Sequence, residues 1–127
     1  MHSASAIGEV YLCTEPVDFR KSIDGLCGIV EQSLLMNPFG CGGVSTLFVF
    51  VNRHRTKIKA LYWHRNGFCL WYKRLEAERF AWPKSDADHG TNYSTHAITA
   101  QQFEWLLEGF DLWTNQPHKT LEFVSVS

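Results

Sequence analysis

Three runs of apolar or alternating residues between positions 47 and 83 dominate the hydrophobic pattern of this chain. Residues 47–51 (LFVFV) are continuously apolar. Two mixed runs follow, with Asn66-Gly67 between them. An Asn-Gly pair between such runs signals a two-residue hairpin, because a type I′ turn needs positive φ at both central residues. The pattern predicts a three-stranded antiparallel meander over about 47–52, 58–65 and 68–75. Taking Asn66-Gly67 as the loop sets Arg65 opposite Phe68, His64 opposite Cys69, Trp63 opposite Leu70, Tyr62 opposite Trp71 and Lys59 opposite Arg74. Side chains alternate along strands. One face then carries Lys59, Leu61, Trp63 and Arg65 with Arg74, Tyr72, Leu70 and Phe68. The other carries Ile58, Ala60, Tyr62 and His64 with Leu75, Lys73, Trp71 and Cys69. Two readings of these faces stand. Either one face is core and the other has Lys and Arg stems lying over aromatics, or the hairpin presents a basic-aromatic surface to nucleic acid.

The flanks supply the rest of the fold. Residues 9–14 (EVYLCT) read as a short strand that Pro16 ends. Ser22 stands where a helix N-cap is expected, before Ile23, Leu26, Cys27, Val30 and Leu34 at helical spacing. Asn37-Pro38 closes that helix. Residues 39–46 are glycine-rich but lack the GxxxxGK[ST] pattern, and a strand follows where a P-loop needs a helix, so they read as a connection. After a polar loop over 83–95, Thr99 and Gln102 form a capping box, with Phe103, Leu106, Leu107 and Phe110 as the apolar stripe. Gly109 marks the end of that helix. Residues 120–126 suggest a last strand. The predicted fold is a single α+β domain over 1–127: an antiparallel sheet, its meander at about 47–75, packed with helices at about 22–35 and 99–109.

At 127 residues the chain is long enough for a hydrophobic core. It shows no membrane-spanning run and no signal-peptide pattern, which points to a cytoplasmic protein. The four cysteines, Cys13, Cys27, Cys41 and Cys69, have no metal-type spacing and are expected to be reduced structural thiols. Neither a cofactor nor a metal is indicated. Net charge is −1, yet its distribution is uneven. Nine basic residues lie in 47–84 against two acids, Glu76 and Glu78, while the remainder is acidic. A cationic middle binds a polyanion, the chain's own acidic helices or an acidic partner.

Candidate chemistry follows from this asymmetry. The loop Arg53-His54-Arg55-Thr56-Lys57 joins two predicted strands and should be exposed. With no acid between Glu31 and Glu76, its cations cannot all pair locally. Lys59, Arg65, Lys73, Arg74 and Arg79 extend the candidate DNA-binding set of Arg53, Arg55 and Lys57. A Cys–His pair from Cys69 and His64 is conceivable as a nucleophile, but no third group orients it. The acids Asp18, Asp24, Glu76 and Glu78 read as capping and solvating groups, and His89, His96 and His118 are too scattered for a metal site.

Several strings resemble a known family. They are Val10-Tyr11-Leu12 through Pro16, the DFRKSIDGL segment from Asp18 to Leu26, Leu47-Phe48-Val49-Phe50, Asn52-Arg53, and Lys57-Ile58-Lys59. Leu61-Tyr62-Trp63, Asn66-Gly67-Phe68, the YKRLE segment from Tyr72 to Glu76, Arg79-Phe80, Trp82-Pro83 and Leu106 to Gly109 also fit. Together they resemble the TnpB-type accessory protein, the second open reading frame, of bacterial insertion sequences of the sixty-six family. This is distinct from the RNA-guided nuclease that shares the label. Ser22, where the family commonly has glycine, and the glycine-rich insert around Cys41 are departures. The resemblance implies a small protein encoded beside a separate DDE-type transposase and needed for efficient transposition. It carries no catalytic residues to this chain. The expected function is a non-catalytic accessory factor that contacts element-end DNA through the basic loop and sheet surface. The alternative is an interaction module that binds the element's transposase, or the third encoded protein, through exposed aromatics.

Overall fold

The computed structural model describes residues 7–40, 45–84 and 94–113. Five strands form one sheet: β1 (Ile7–Cys13), β2 (Ser45–Val51), β3 (Lys57–His64), β4 (Gly67–Arg74) and β5 (Thr95–Ile98). Their order across the sheet is β4-β3-β2-β1-β5. The meander is present, and β5 also pairs antiparallel with β1, but β1 and β2 are parallel. The sheet is mostly antiparallel, as expected, with this one parallel pair added at β1. Parallel neighbours need a long crossover, and here the chain makes one through helix α1 (Ile23–Gly28) and a π-helical turn, Ile29–Ser33. The second helix, α2 (Ala100–Leu107), follows β5.

Both sheet faces are covered. On one, Val10, Leu12, Val49, Val51, Ile58 and Ala60 pack with Phe103 and Leu106 of α2 and with Phe80 and Trp82. On the other, Cys13, Phe48, Phe50 and Leu61 pack with Leu26, Ile29 and Val30 of the crossover. β2 is central, and residues 46–51 are buried throughout, which explains the unbroken apolar run. Burial of side chains such as Phe103 and Leu106 stabilises by about 1.5–3 kcal/mol each. Leu107 and Phe110, expected in the same stripe, are half-buried.

The β3–β4 hairpin keeps its predicted faces but not its pairs. Trp63 pairs with Phe68, Tyr62 with Cys69, Lys59 with Tyr72 and His64 with Gly67. The two-residue loop is therefore Arg65-Asn66, with positive φ on Arg65 (57°). Each residue's partner has moved by two positions, and an even shift leaves every side chain on its face. The observed register makes Trp63 and Phe68 direct partners, ring centroids 4.9 Å apart and T-shaped. Such a pair contributes about 0.5–1.5 kcal/mol, offsetting much of the cost of a left-handed arginine.

The helix starts divide. At α2, Thr99 Oγ1 accepts the Gln102 amide at 3.0 Å, and Gln102 Oε1 accepts the Thr99 amide at 2.9 Å. This is the predicted capping box. At α1, Ser22 occupies the N-cap position without a side-chain cap bond. The entry to α1 is held another way. Asp18 accepts the Arg20 amide and guanidinium, and Lys59 Nζ reaches across from β3 to the carbonyls of Phe19 (2.9 Å) and Lys21 (2.8 Å). The crossover ends at Leu35, whose φ is +56°. β5 was not expected from sequence, which has a loop reaching 95. Residues 120–126 and Cys41 lie outside the described residues.

Candidate nucleic-acid interface

The loop between β2 and β3 is built by Asn52. Its Oδ1 accepts the amides of Thr56 (2.8 Å) and Lys57 (3.0 Å), and its Nδ2 donates to Thr56 Oγ1 (3.1 Å). The Arg55 amide donates back to the Asn52 carbonyl at 3.1 Å, and Arg55 turns through φ +60°. A short polar side chain that bonds the backbone ahead of it is what a tight turn favours.

The inner side of this loop is occupied by the chain after β4. The Leu75 amide donates to the Thr56 carbonyl at 2.8 Å, and the Phe80 amide to the Arg55 carbonyl at 2.7 Å. Phe80 is anchored in the core. Trp82 Nε1 donates to the Cys13 carbonyl and Trp113 Nε1 to the Ala81 carbonyl. Arg79, the neighbour of Phe80, is thereby carried to the basic loop. Arg53, His54, Arg55 and Arg79 are exposed, and Lys57 is half-buried.

The predicted cations thus separate into groups. Arg53, Arg55, Lys57 and Arg79 gather at one end of the sheet and make no ion pair among the described residues. Arg74, paired with Lys57 across the strands, is bound to Glu76 at 2.8 Å, which holds its guanidinium charged. Lys59 is turned to the carbonyls before α1 and lies 4.8 Å from the Phe19 ring centroid. Burial pulls its ammonium below the usual lysine range. Lys73 Nζ donates to the Leu107 carbonyl at 2.8 Å, a cation at the C-terminal end of α2. Arg65 lies at the opposite end of β3, roughly 25 Å from the basic loop at 3.3 Å per residue.

The sequence singled out the loop cations and missed the residue that shapes them. Asn52 had a legible signal, an Asn opening a turn. The long-range bonds of Lys59 and Lys73 had none.

The predicted cross-strand pairing of Cys69 with His64 is not the observed one. Cys69 stands opposite Tyr62, not His64. Burial and then Cys69 hold the Tyr62 phenol above its usual range. Burial pushes the Cys13 thiol up to about 12 and raises Cys27 as well, so both stay protonated. Among the described residues no three His, Cys, Asp or Glu side chains converge on a metal-sized site. No described helix is long and apolar enough to cross a membrane.

Comparison with known proteins gives one family model and two relatives. A family model described as IS66 Orf2 like protein (TnpB_IS66) matches residues 8–117. The chain is 31% identical over 115 residues to the uncharacterised protein y4jC of Sinorhizobium fredii (strain NBRC 101917 / NGR234), covering 89% of this chain and 87% of that one. It is 31% identical over 102 residues to y4hO of the same organism, also uncharacterised, covering 80% of each. No solved structure matches.

Proposed function

The chain belongs to the IS66 Orf2-like family, which points to an accessory role in transposition, and we propose that it is a non-catalytic cytoplasmic factor that grips duplex DNA at the element ends. The contact is made by Arg53, Arg55 and Lys57 with Arg79 beside them. One observation carries this reading: a loop with its backbone locked by Asn52 projects cations that no described acid neutralises. A rigid cationic loop loses little conformational freedom on meeting a phosphate backbone. Phosphate contacts of this sort position a protein without reading sequence. Arg74, Lys59 and Lys73 act at one remove, tying the strands and helices that present the loop.

A second reading has its own observation. Tyr72 on the edge strand β4 is 49% exposed, a surface on which the element's transposase could be captured without any DNA contact. The two separate by experiment. Arg53, Arg55 and Lys57 are replaced together by alanine, folding is checked, and binding to DNA and to the transposase is measured. The DNA reading expects weaker binding to element-end and unrelated duplexes alike, with transposase capture intact. DNA binding unchanged in this variant, with capture lost in Tyr72→Ala, establishes the interaction module instead.

A further inference from the structure

At the end of the sheet away from the basic loop, three aromatic rings meet. Phe39 lies 4.8 Å from Trp63, edge to face, and 5.2 Å from Phe68, tilted. Trp63 and Phe68 complete the triangle at 4.9 Å. Trp63 and Phe68 are half-buried cross-strand partners on the α1 side of the hairpin. Phe39 is 53% exposed.

The exposed ring is held where it is. The Phe39 amide donates to Asn37 Oδ1 at 3.0 Å, and the Gly40 amide to the Asn37 carbonyl at 2.9 Å. Gly40 then turns through φ +76°, where a Cβ would come within 2.6 Å of Thr46. The Phe39 and Gly40 amides are thus both tied to Asn37, and two rings pack against the Phe39 side chain. A braced, half-open aromatic is a stacking platform with little entropy left to lose.

Its surroundings choose the occupant. The hairpin loop next to the triangle is Arg65-Asn66, and Arg65 is exposed and without an ion pair among the described residues. No acid occurs between Glu31 and Glu76, so neither segment that forms the tip contains a carboxylate. Glu31, exposed on the π-helical turn, is the first acid reached along the chain, and Glu9, opposite Thr46 on β1, is the acid at this end of the sheet, its carboxylate accepting the Tyr11 hydroxyl. An aromatic face beside a lone guanidinium suits a base and its phosphate. We propose that this tip is a second nucleic-acid site, where an unpaired base of single-stranded DNA stacks on Phe39 and Arg65 meets the adjoining phosphate.

This inference rests on the nucleic-acid reading of the protein, but its site and substrate form differ from those of the basic loop. The test uses the full chain with three probes: a thymine oligonucleotide, the same strand carrying an adenine analogue that fluoresces when unstacked, and a blunt duplex. Phe39→Ala should weaken single-strand binding by roughly five- to a hundred-fold, abolish the analogue's quenching and leave duplex binding unchanged. Phe39→Trp should restore quenching, which a merely structural role of Phe39 does not predict. Arg65→Ala should weaken single-strand binding and flatten its salt dependence. The alanine triple variant of the basic loop should lose duplex binding and keep the quenching. If the parent binds duplex but not single strands, or Phe39→Ala binds single strands as tightly as the parent, the tip proposal falls and the loop reading stands. If the triple variant binds duplex normally while Phe39→Ala loses single strands, the loop reading falls alone. Loss of transposase capture alone in Phe39→Ala makes the tip a protein-docking surface and overturns the proposal.

Discussion

Glycines 40 and 67 show how a residue's role follows from its backbone. Asn66-Gly67 signals a turn that needs Gly67 in the left-handed region, yet the turn falls one residue earlier and Gly67 begins β4. A Cβ there meets nothing within 4 Å. Gly67→Val should therefore change stability by less than about 0.5 kcal/mol, a β-branched residue being welcome in a strand. Gly40→Ala should cost about 1–3 kcal/mol, because it meets both positive φ and the buried Thr46. Thermal unfolding of the two variants side by side checks this, and a reversed order would contradict the observed turn. Leu35 offers the opposite case. It is 82% exposed with φ +56°. Leu35→Gly relieves about 1–2 kcal/mol of left-handed strain against about 0.4–1 kcal/mol from a freer unfolded chain. A gain of about 0.5 kcal/mol is expected, read as a raised denaturant midpoint. Asn52→Ala should lower stability by about 1–2 kcal/mol, since the amides of Thr56 and Lys57 lose their acceptor. Unaltered unfolding, with unaltered amide exchange at those two positions, would show that the loop holds its shape without Asn52.

At the scale of elements, legibility tracked how local each signal was. The capping box of α2 is written in adjacent residues, and the structure contains it. Thr99→Ala should cost about 1 kcal/mol in chemical denaturation, and no loss at all would mean that helix packing alone sets the α2 start. The meander strands were legible within about two residues, because apolar runs and turn residues are local as well. Three things were not. The parallel pairing of β1 with β2 depends on a strand–helix–strand order whose sheet partner lies about 35 residues away. β5 has only four residues, Thr95–Ile98, too few for a periodic signal, and exists through its ladder with β1. The α1 end is displaced by a π-helical turn that the regular spacing of Ile23, Leu26, Val30 and Leu34 does not announce. The candidate site divides in the same way. Loop cations can be counted from the sequence, but which of them remain unpaired depends on Glu76, Phe19, Lys21 and Leu107 reaching Arg74, Lys59 and Lys73.

For the whole molecule, the sheet acts as a spacer with different chemistry at its two ends. One end carries Arg53, Arg55 and Lys57 on or beside the locked loop, with Arg79 brought alongside by the chain after β4, and the other carries the aromatic triangle with Arg65. Of the 13 acids only Glu76 and Glu78 lie within residues 47–84, so a net charge of −1 conceals an uneven distribution of charge along the chain. The central claim is that the locked loop holds duplex phosphates, and the salt dependence of binding tests it most directly. Each phosphate contact contributes about −0.9 to the slope of log affinity against log salt. Affinity of the purified protein for duplex DNA, measured across a salt series, should give a slope of roughly −3 to −4 for four cations, flattened by roughly 2–3 in the alanine triple variant of Arg53, Arg55 and Lys57. A folded triple variant with the parent's slope would contradict the claim and remove this loop from DNA contact.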